Sequence, residues 1–122
     1  EGRKVLMVDD DMRNIYALQT VLEDQGVITS IATNGFEAIE AIKEDEGIEA
    51  VLMDIMMPEM DGYEATRRIR EMGKKDLPII ALTAKAMKGD REKSLEAGLS
   101  DYMSKPIDVE RLIALLKVWM HK

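Results

Sequence analysis

Five times along the chain a short run rich in hydrophobic residues gives way to an amphipathic stretch. The first pattern marks a buried strand and the second an amphipathic helix. Strands are predicted over Lys4 to Val8, Val27 to Ala32, Glu49 to Met53, Pro78 to Leu82 and Asp101 to Met103. Helical spacing joins Ile15, Leu18, Val21 and Leu22 in the first intervening stretch, and Ala38, Ile39, Ala41 and Ile42 in the second. Gly26, Gly47, Gly73 and Gly98 each follow a predicted helix, at the C′ position where a left-handed backbone favours glycine. Asn34 with Glu37, and Asp61 with Glu64, have capping-box spacing, and Asp108 suits the N-cap of the last helix.

This alternation predicts an α/β fold of five βα units. The first, third and fourth strands are apolar throughout, as expected of central parallel strands covered by helices on both faces. Right-handed crossovers then favour a doubly wound parallel sheet, in which ligands bind beyond the carboxyl ends of the strands. Asp9 and Asp10, Asp54, Thr83 and Lys105 stand at such ends, so one crevice should gather them. The last helix carries two apolar stripes, Val109, Leu112, Ile113 and Leu116 in one and Leu115, Val118 and Trp119 in the other. One stripe should meet the sheet, and the second is expected to form a dimer or partner contact.

Composition narrows the function. The 122 residues suit one domain, 1–122, with no linker or low-complexity segment dividing it. A net charge of −7 opposes a nucleic-acid surface, which needs clustered Lys and Arg. With no cysteine there are no disulfides, zinc thiolates or thiol nucleophiles, which fits a cytoplasmic protein. No apolar run approaches the roughly 20 residues of a membrane-spanning helix. An opening on Glu1 rather than Met suggests a domain cut from a longer protein, and with no output module expected after Lys122 the domain would be either a stand-alone relay or an excised piece. Arg67, Arg68, Arg70, Lys74 and Lys75 read as a solvated helix face and loop, and Asp11 as a helix cap or solvent-facing acid.

Three carboxylates in one crevice repel one another by several kcal/mol unless a cation or proton compensates them. Magnesium suits such a site, since it prefers oxygen ligands, takes few carboxylates and keeps waters that a phosphoryl group can replace; manganese is the alternative. Asp10 and Asp54 would be direct ligands, with Asp9 beside them.

The motifs Val8-Asp9-Asp10, Met53-Asp54-Ile55-Met56-Met57-Pro58-Glu59-Met60-Asp61-Gly62, Leu82-Thr83-Ala84 and Ser104-Lys105-Pro106 closely resemble the receiver domains of two-component signalling. The segments Arg13-Asn14-Ile15-Tyr16-Ala17-Leu18 and Thr83-Ala84-Lys85-Ala86-Met87 look most like receivers attached to hybrid histidine kinases. The resemblance implies a flavodoxin-like sheet of strand order 2-1-3-4-5. It implies that Asp54 accepts a phosphoryl group from a phosphohistidine on a histidine kinase or histidine phosphotransfer domain. It further implies that the backbone carbonyl of Met56 joins the metal ligands and that Lys105 pairs first with Asp54 and then with a phosphoryl oxygen. Thr83 would read the product, and Tyr102 would turn inward with it. The switching face would comprise the fourth helical stretch, the fifth strand and the last helix. Lys88 to Ala97 offers almost only Leu95 as a large anchor, so that stretch should be easily displaced. Met56 and Lys85 occupy positions that in the family influence phosphoryl loss, and slow to moderate self-hydrolysis is expected. The one histidine, His121, is a terminal residue, so the donor must lie elsewhere.

Other functions fit less well. A magnesium-dependent phosphatase with an aspartyl-phosphate intermediate would carry Asp-x-Asp where this chain has Asp54-Ile55-Met56. A flavin carrier would need Gly, Ser and Thr where Asp9, Asp10 and Asp11 stand. A pseudo-receiver that only binds partners remains the alternative, opposed by the presence of Asp9, Asp10, Asp54, Thr83 and Lys105.

Overall fold

Each apolar run becomes a strand: β1 (Lys4–Val8), β2 (Ile28–Ala32), β3 (Ile48–Asp54), β4 (Ile79–Thr83) and β5 (Asp101–Ser104). The amphipathic stretches give α1 (Met12–Asp24), α2 (Gly35–Glu44), α3 (Gly62–Glu71) and α4 (Val109–Met120). The computed structural model describes residues 4–45, 47–55, 60–74, 76–83, 96–104 and 108–120, with the backbone alone at Thr83, Ser104 and Met120. Most of the stretch Lys88 to Ala97 lies outside the described residues.

The strands are all parallel in one sheet of order β2-β1-β3-β4-β5, the doubly wound arrangement expected from the pattern and the flavodoxin-like order implied by the resemblance. Side chains alternate across a strand, so each central strand feeds two cores. Leu6, Val8, Val51, Met53, Ile79 and Ala81 pack on one face beneath Ala38 and Ile42 of α2 and Ala65 and Ile69 of α3. Val5, Met7, Ala50, Leu52, Ile80 and Leu82 pack on the other, beneath Ile15, Leu18 and Leu22 of α1 and Leu112 and Leu116 of α4.

Six boundaries in four strands differ from expectation by one residue. β3 begins at Ile48 and runs through Asp54, while β2 starts at Ile28, β4 runs from Ile79 to Thr83 and β5 ends at Ser104. Parallel pairing to β4 extends the ladder, with Asp54 opposite Leu82 and the Ile55 N–H donating to the Leu82 carbonyl at 3.1 Å. Asp54 is therefore held by the sheet itself rather than by the loop after it.

Helix punctuation is mostly as expected. Gly26, Gly73 and Gly98 have φ of 81°, 95° and 98°. Gly47 does not take the left-handed conformation, because α2 ends on an extended Asp45 whose carboxylate accepts the Gly47 N–H at 2.8 Å and also the Lys4 ammonium. Asn34 and Asp61 cap α2 and α3 by accepting the N–H of Glu37 and of Glu64, each at 2.9 Å. Their return contacts differ from a capping box. Glu37 takes the Thr33 N–H, one residue early, while Glu64 turns outward to Arg67 and Arg68.

Arg70 corrects the expectation of a uniformly solvated basic face. It follows buried Thr66 by one turn of α3 and so sits toward the inner side of the helix. The guanidinium is half-buried and donates to the carbonyls of Gly98, Lys74 and Leu77 at 2.8, 2.6 and 2.6 Å. Burial pulls its pKa down, but a guanidinium stays charged at any physiological pH. Arg67 and Arg68 do lie on the exposed face, and Lys75 is outside the described residues.

Candidate functional site

Register sets the cleft. Val8 is opposite Met53 in the β1–β3 ladder, which brings the next residues, Asp9 and Asp54, level at the carboxyl edge of the sheet. Both continue the alternation of Val5, Met7, Ala50 and Leu52 and so lie on the α1 and α4 side. Asp9, Asp10 and Asp54 each offer a carboxylate oxygen within 4.8 Å of the others. Asp9 and Asp54 are only 4% and 3% exposed, whereas Asp10 is exposed, so the cluster opens to solvent on one side.

The first turn of α1 holds this edge in place. Asp11 caps the helix, accepting the Arg13 N–H at 3.0 Å, and binds the Arg13 guanidinium as well. Its own N–H donates to Asp9 Oδ1 at 2.8 Å, and the Asn14 amide donates to Asp9 Oδ2 at 3.3 Å. The Asp9 N–H meanwhile pairs with the Ala32 carbonyl at 3.1 Å, which fixes the backbone beneath the carboxylate.

On the opposite side α3 begins against the end of β3. The Gly62 N–H donates to the Ile55 carbonyl at 3.0 Å, and the Thr66 hydroxyl donates to the Gly62 carbonyl at 2.7 Å. Among the described residues no buried side-chain polar atom lacks a hydrogen-bond partner. The donor set is thus three carboxylates clustered at a solvent-open edge, a chemistry that fits a hard divalent cation.

The other expected site residues are partly beyond view. Thr83 closes β4, its backbone opposite Ser104 of β5. Lys105, Met56, Lys85 and Pro106 lie outside the described residues. Tyr102 sits on the edge strand β5, half-buried and packed against the α2 and α3 core. In α4, Leu112 and Leu116 are buried and Leu115 and Trp119 lean on the same core, while Val118 is 68% exposed. Sequence reading passed over Asn14 as a contributor to this site, although its place one turn after the paired acids was visible.

The family model of the response regulator receiver domain matches residues 5–117. The chain belongs to this family. A receiver domain from a sensor histidine kinase of Pseudomonas aeruginosa PAO1, solved with a magnesium ion coordinated in its active site cleft, superposes with a TM-score of 0.90 at 36% identity over 100% of both chains. The receiver domain of the response regulator Ssk1 of Saccharomyces cerevisiae, crystallised with the histidine phosphotransfer protein Ypd1, gives a TM-score of 0.91 at 30% identity, covering 98% of this chain and 90% of that one. The sensor protein GacS of Pseudomonas syringae pv. syringae is 40% identical over 120 residues, and the signal transduction histidine-protein kinase BarA of Escherichia coli (strain K12) is 42% identical over 113. These matches cover 95% and 92% of this receiver domain but only 13% and 12% of the two kinases. The receiver domain is a signalling domain of two-component systems, and among its described residues no helix is long and apolar enough to cross a membrane.

Proposed function

We propose that residues 1–122 form a single cytoplasmic receiver domain whose Asp54 takes a phosphoryl group from a phosphohistidine on a histidine kinase or histidine phosphotransfer domain. The observation that carries this reading is the meeting of Asp9, Asp10 and Asp54 within 4.8 Å at the carboxyl edge of the sheet. An aspartate side chain needs no general base to act as a nucleophile, so one Asp54 oxygen can attack phosphorus directly. The new O–P bond forms as the N–P bond of the donor breaks, and the electron pair leaves with the imidazole nitrogen, which takes up a proton. The domain thus promotes its own phosphorylation and dephosphorylation without being a turnover enzyme.

Asp10, Asp54 and the Met56 backbone carbonyl, with Asp9 in support, would hold magnesium, or manganese in its place. When bound, that ion neutralises phosphoryl oxygens as negative charge gathers in the cleft. Lys105 pairs with Asp54 before transfer and with a phosphoryl oxygen after it. Thr83 hydrogen-bonds the product, and Tyr102 moves with it to alter the face shared by β5 and α4. Leu115, Val118 and Trp119 supply a partner or dimer contact on that face.

The test is intact mass after incubation with magnesium and acetyl phosphate. Wild type is expected to gain one phosphoryl group and Asp54→Asn none. A gain that persists in Asp54→Asn overturns the acceptor assignment, and no gain in either protein favours a pseudo-receiver that serves only as an interaction domain.

A further inference from the structure

Both oxygens of the Asp9 carboxylate meet donors from the first turn of α1, but the two donors differ in kind. The Asp11 N–H is backbone and would be present whatever residue stood there. The Asn14 amide is a side chain, and against a carboxylate only its NH2 end can make the 3.3 Å hydrogen bond. Asparagine is a weaker helix former than alanine or leucine, so nothing in α1 itself calls for it between Arg13 and buried Ile15. A glutamate or aspartate here would suit the helix dipole but would add a fourth negative charge beside Asp9, Asp10 and Asp54. The amide supplies a donor without charge.

We infer that Asn14 is a positioning residue, which holds the buried Asp9 carboxylate in the orientation that lets it share a divalent cation with Asp10 and Asp54. This rests on the metal-binding reading above. A hydrogen-bonded partner behind a carboxylate restricts its rotation before the ion arrives, and removing such partners commonly weakens metal binding by about 10–100-fold. At 3.3 Å the Asn14 contact is a long one, which puts the expected effect at the lower end, about tenfold.

The experiment is a double-mutant cycle read by calorimetric titration with Mg2+, with no phosphoryl donor present. Asn14→Ala is expected to raise the Mg2+ dissociation constant by about tenfold. Asn14→Leu, which keeps much of the side chain's shape and removes the donor, should do the same. In an Asp9→Ala background, the Asn14→Ala substitution should change the constant by less than about twofold, because the acceptor through which it acts has gone. Unfolding in EDTA confirms that each variant is folded, and both replacements are better helix formers than asparagine. An unchanged or tighter Mg2+ constant in Asn14→Ala and Asn14→Leu overturns the inference. So does an equal loss in both backgrounds, which would mark a general effect on α1. If wild type itself takes up no Mg2+, the metal-binding reading falls together with the inference, whereas binding by wild type with no response to Asn14 defeats the inference alone.

Discussion

Gly62 lies so close to the end of β3 that a β-carbon on it would stand 2.8 Å from the Asp54 carbonyl oxygen and 2.9 Å from the Ile55 Cα. These are backbone atoms and cannot rotate away. Gly62→Ala must push α3 and the end of β3 apart, at a cost of about 1–3 kcal/mol in urea unfolding. Because the displaced residue carries the proposed acceptor, phosphoryl uptake from acetyl phosphate should slow more than the loss of folded protein accounts for. Uptake that tracks the folded fraction would contradict the coupling.

Arg70 works at the other end of the sheet, joining the start of β4 to the approach of β5. Its donors satisfy the Gly98, Lys74 and Leu77 carbonyls, and Ser100 Oγ accepts the Ile79 N–H at 3.0 Å nearby. Arg70→Met keeps most of the apolar stem and removes every donor, so a loss of about 2–3 kcal/mol is expected in denaturant unfolding. Arg70→Lys should recover only part of it, since one ammonium cannot span the same carbonyls. Full recovery by lysine would show that charge alone matters.

Acid should weaken the fold through three surface carboxylates. The Thr33 N–H holds Glu37 below the usual carboxylate range, the Lys4 ammonium does so for Asp45, and the Arg68 guanidinium for Glu64. A carboxylate with a lowered folded-state pKa stabilises the fold above its unfolded value, and that contribution disappears as pH falls through the folded one. Stability should therefore decline below about pH 4. The combined variant Glu37→Gln, Asp45→Asn, Glu64→Gln should show a shallower decline of the urea midpoint between neutral and acidic pH. Parallel profiles would remove these residues from the explanation.

Metal and charge in the cleft are linked to stability. Magnesium at about 100 times its dissociation constant should stabilise the domain by about 2.7 kcal/mol. In EDTA, Asp10→Asn should unfold at higher urea than wild type, because it relieves repulsion among the acids; with magnesium present the order should narrow or reverse. A variant less stable than wild type in EDTA would contradict this account of the cleft.

Val118 is the exposed member of its stripe on α4. Val118→Lys should leave unfolding within about 0.5 kcal/mol of wild type. If the stripe serves a partner or a second copy, the same substitution should weaken that association in sedimentation or binding measurements. Unaltered association would clear the stripe of that role.

Local chemistry alone determined the number and type of the strands, because short apolar runs alternating with amphipathic stretches suit a parallel sheet covered by helices, and the crossovers between strands have one hand. The acids of the cleft were legible for the same reason: Asp9, Asp10 and Asp54 follow or end those runs, so any parallel sheet carries them to one edge. Strand ends were less legible. Asp54 joined β3 because β4 offered it a hydrogen-bonded neighbour, and Gly47 escaped the left-handed position because Asp45 ended α2 otherwise. Arg70 and Asn14 show what only the tertiary structure could decide. Each looks like an ordinary polar helix residue until distant segments arrive, Gly98 and Leu77 beside the first and the Asp9 carboxylate beside the second. Spacing along one chain fixes which face a side chain occupies, whereas its hydrogen-bond partner depends on register, crossover and packing, which exist only once the sheet has formed.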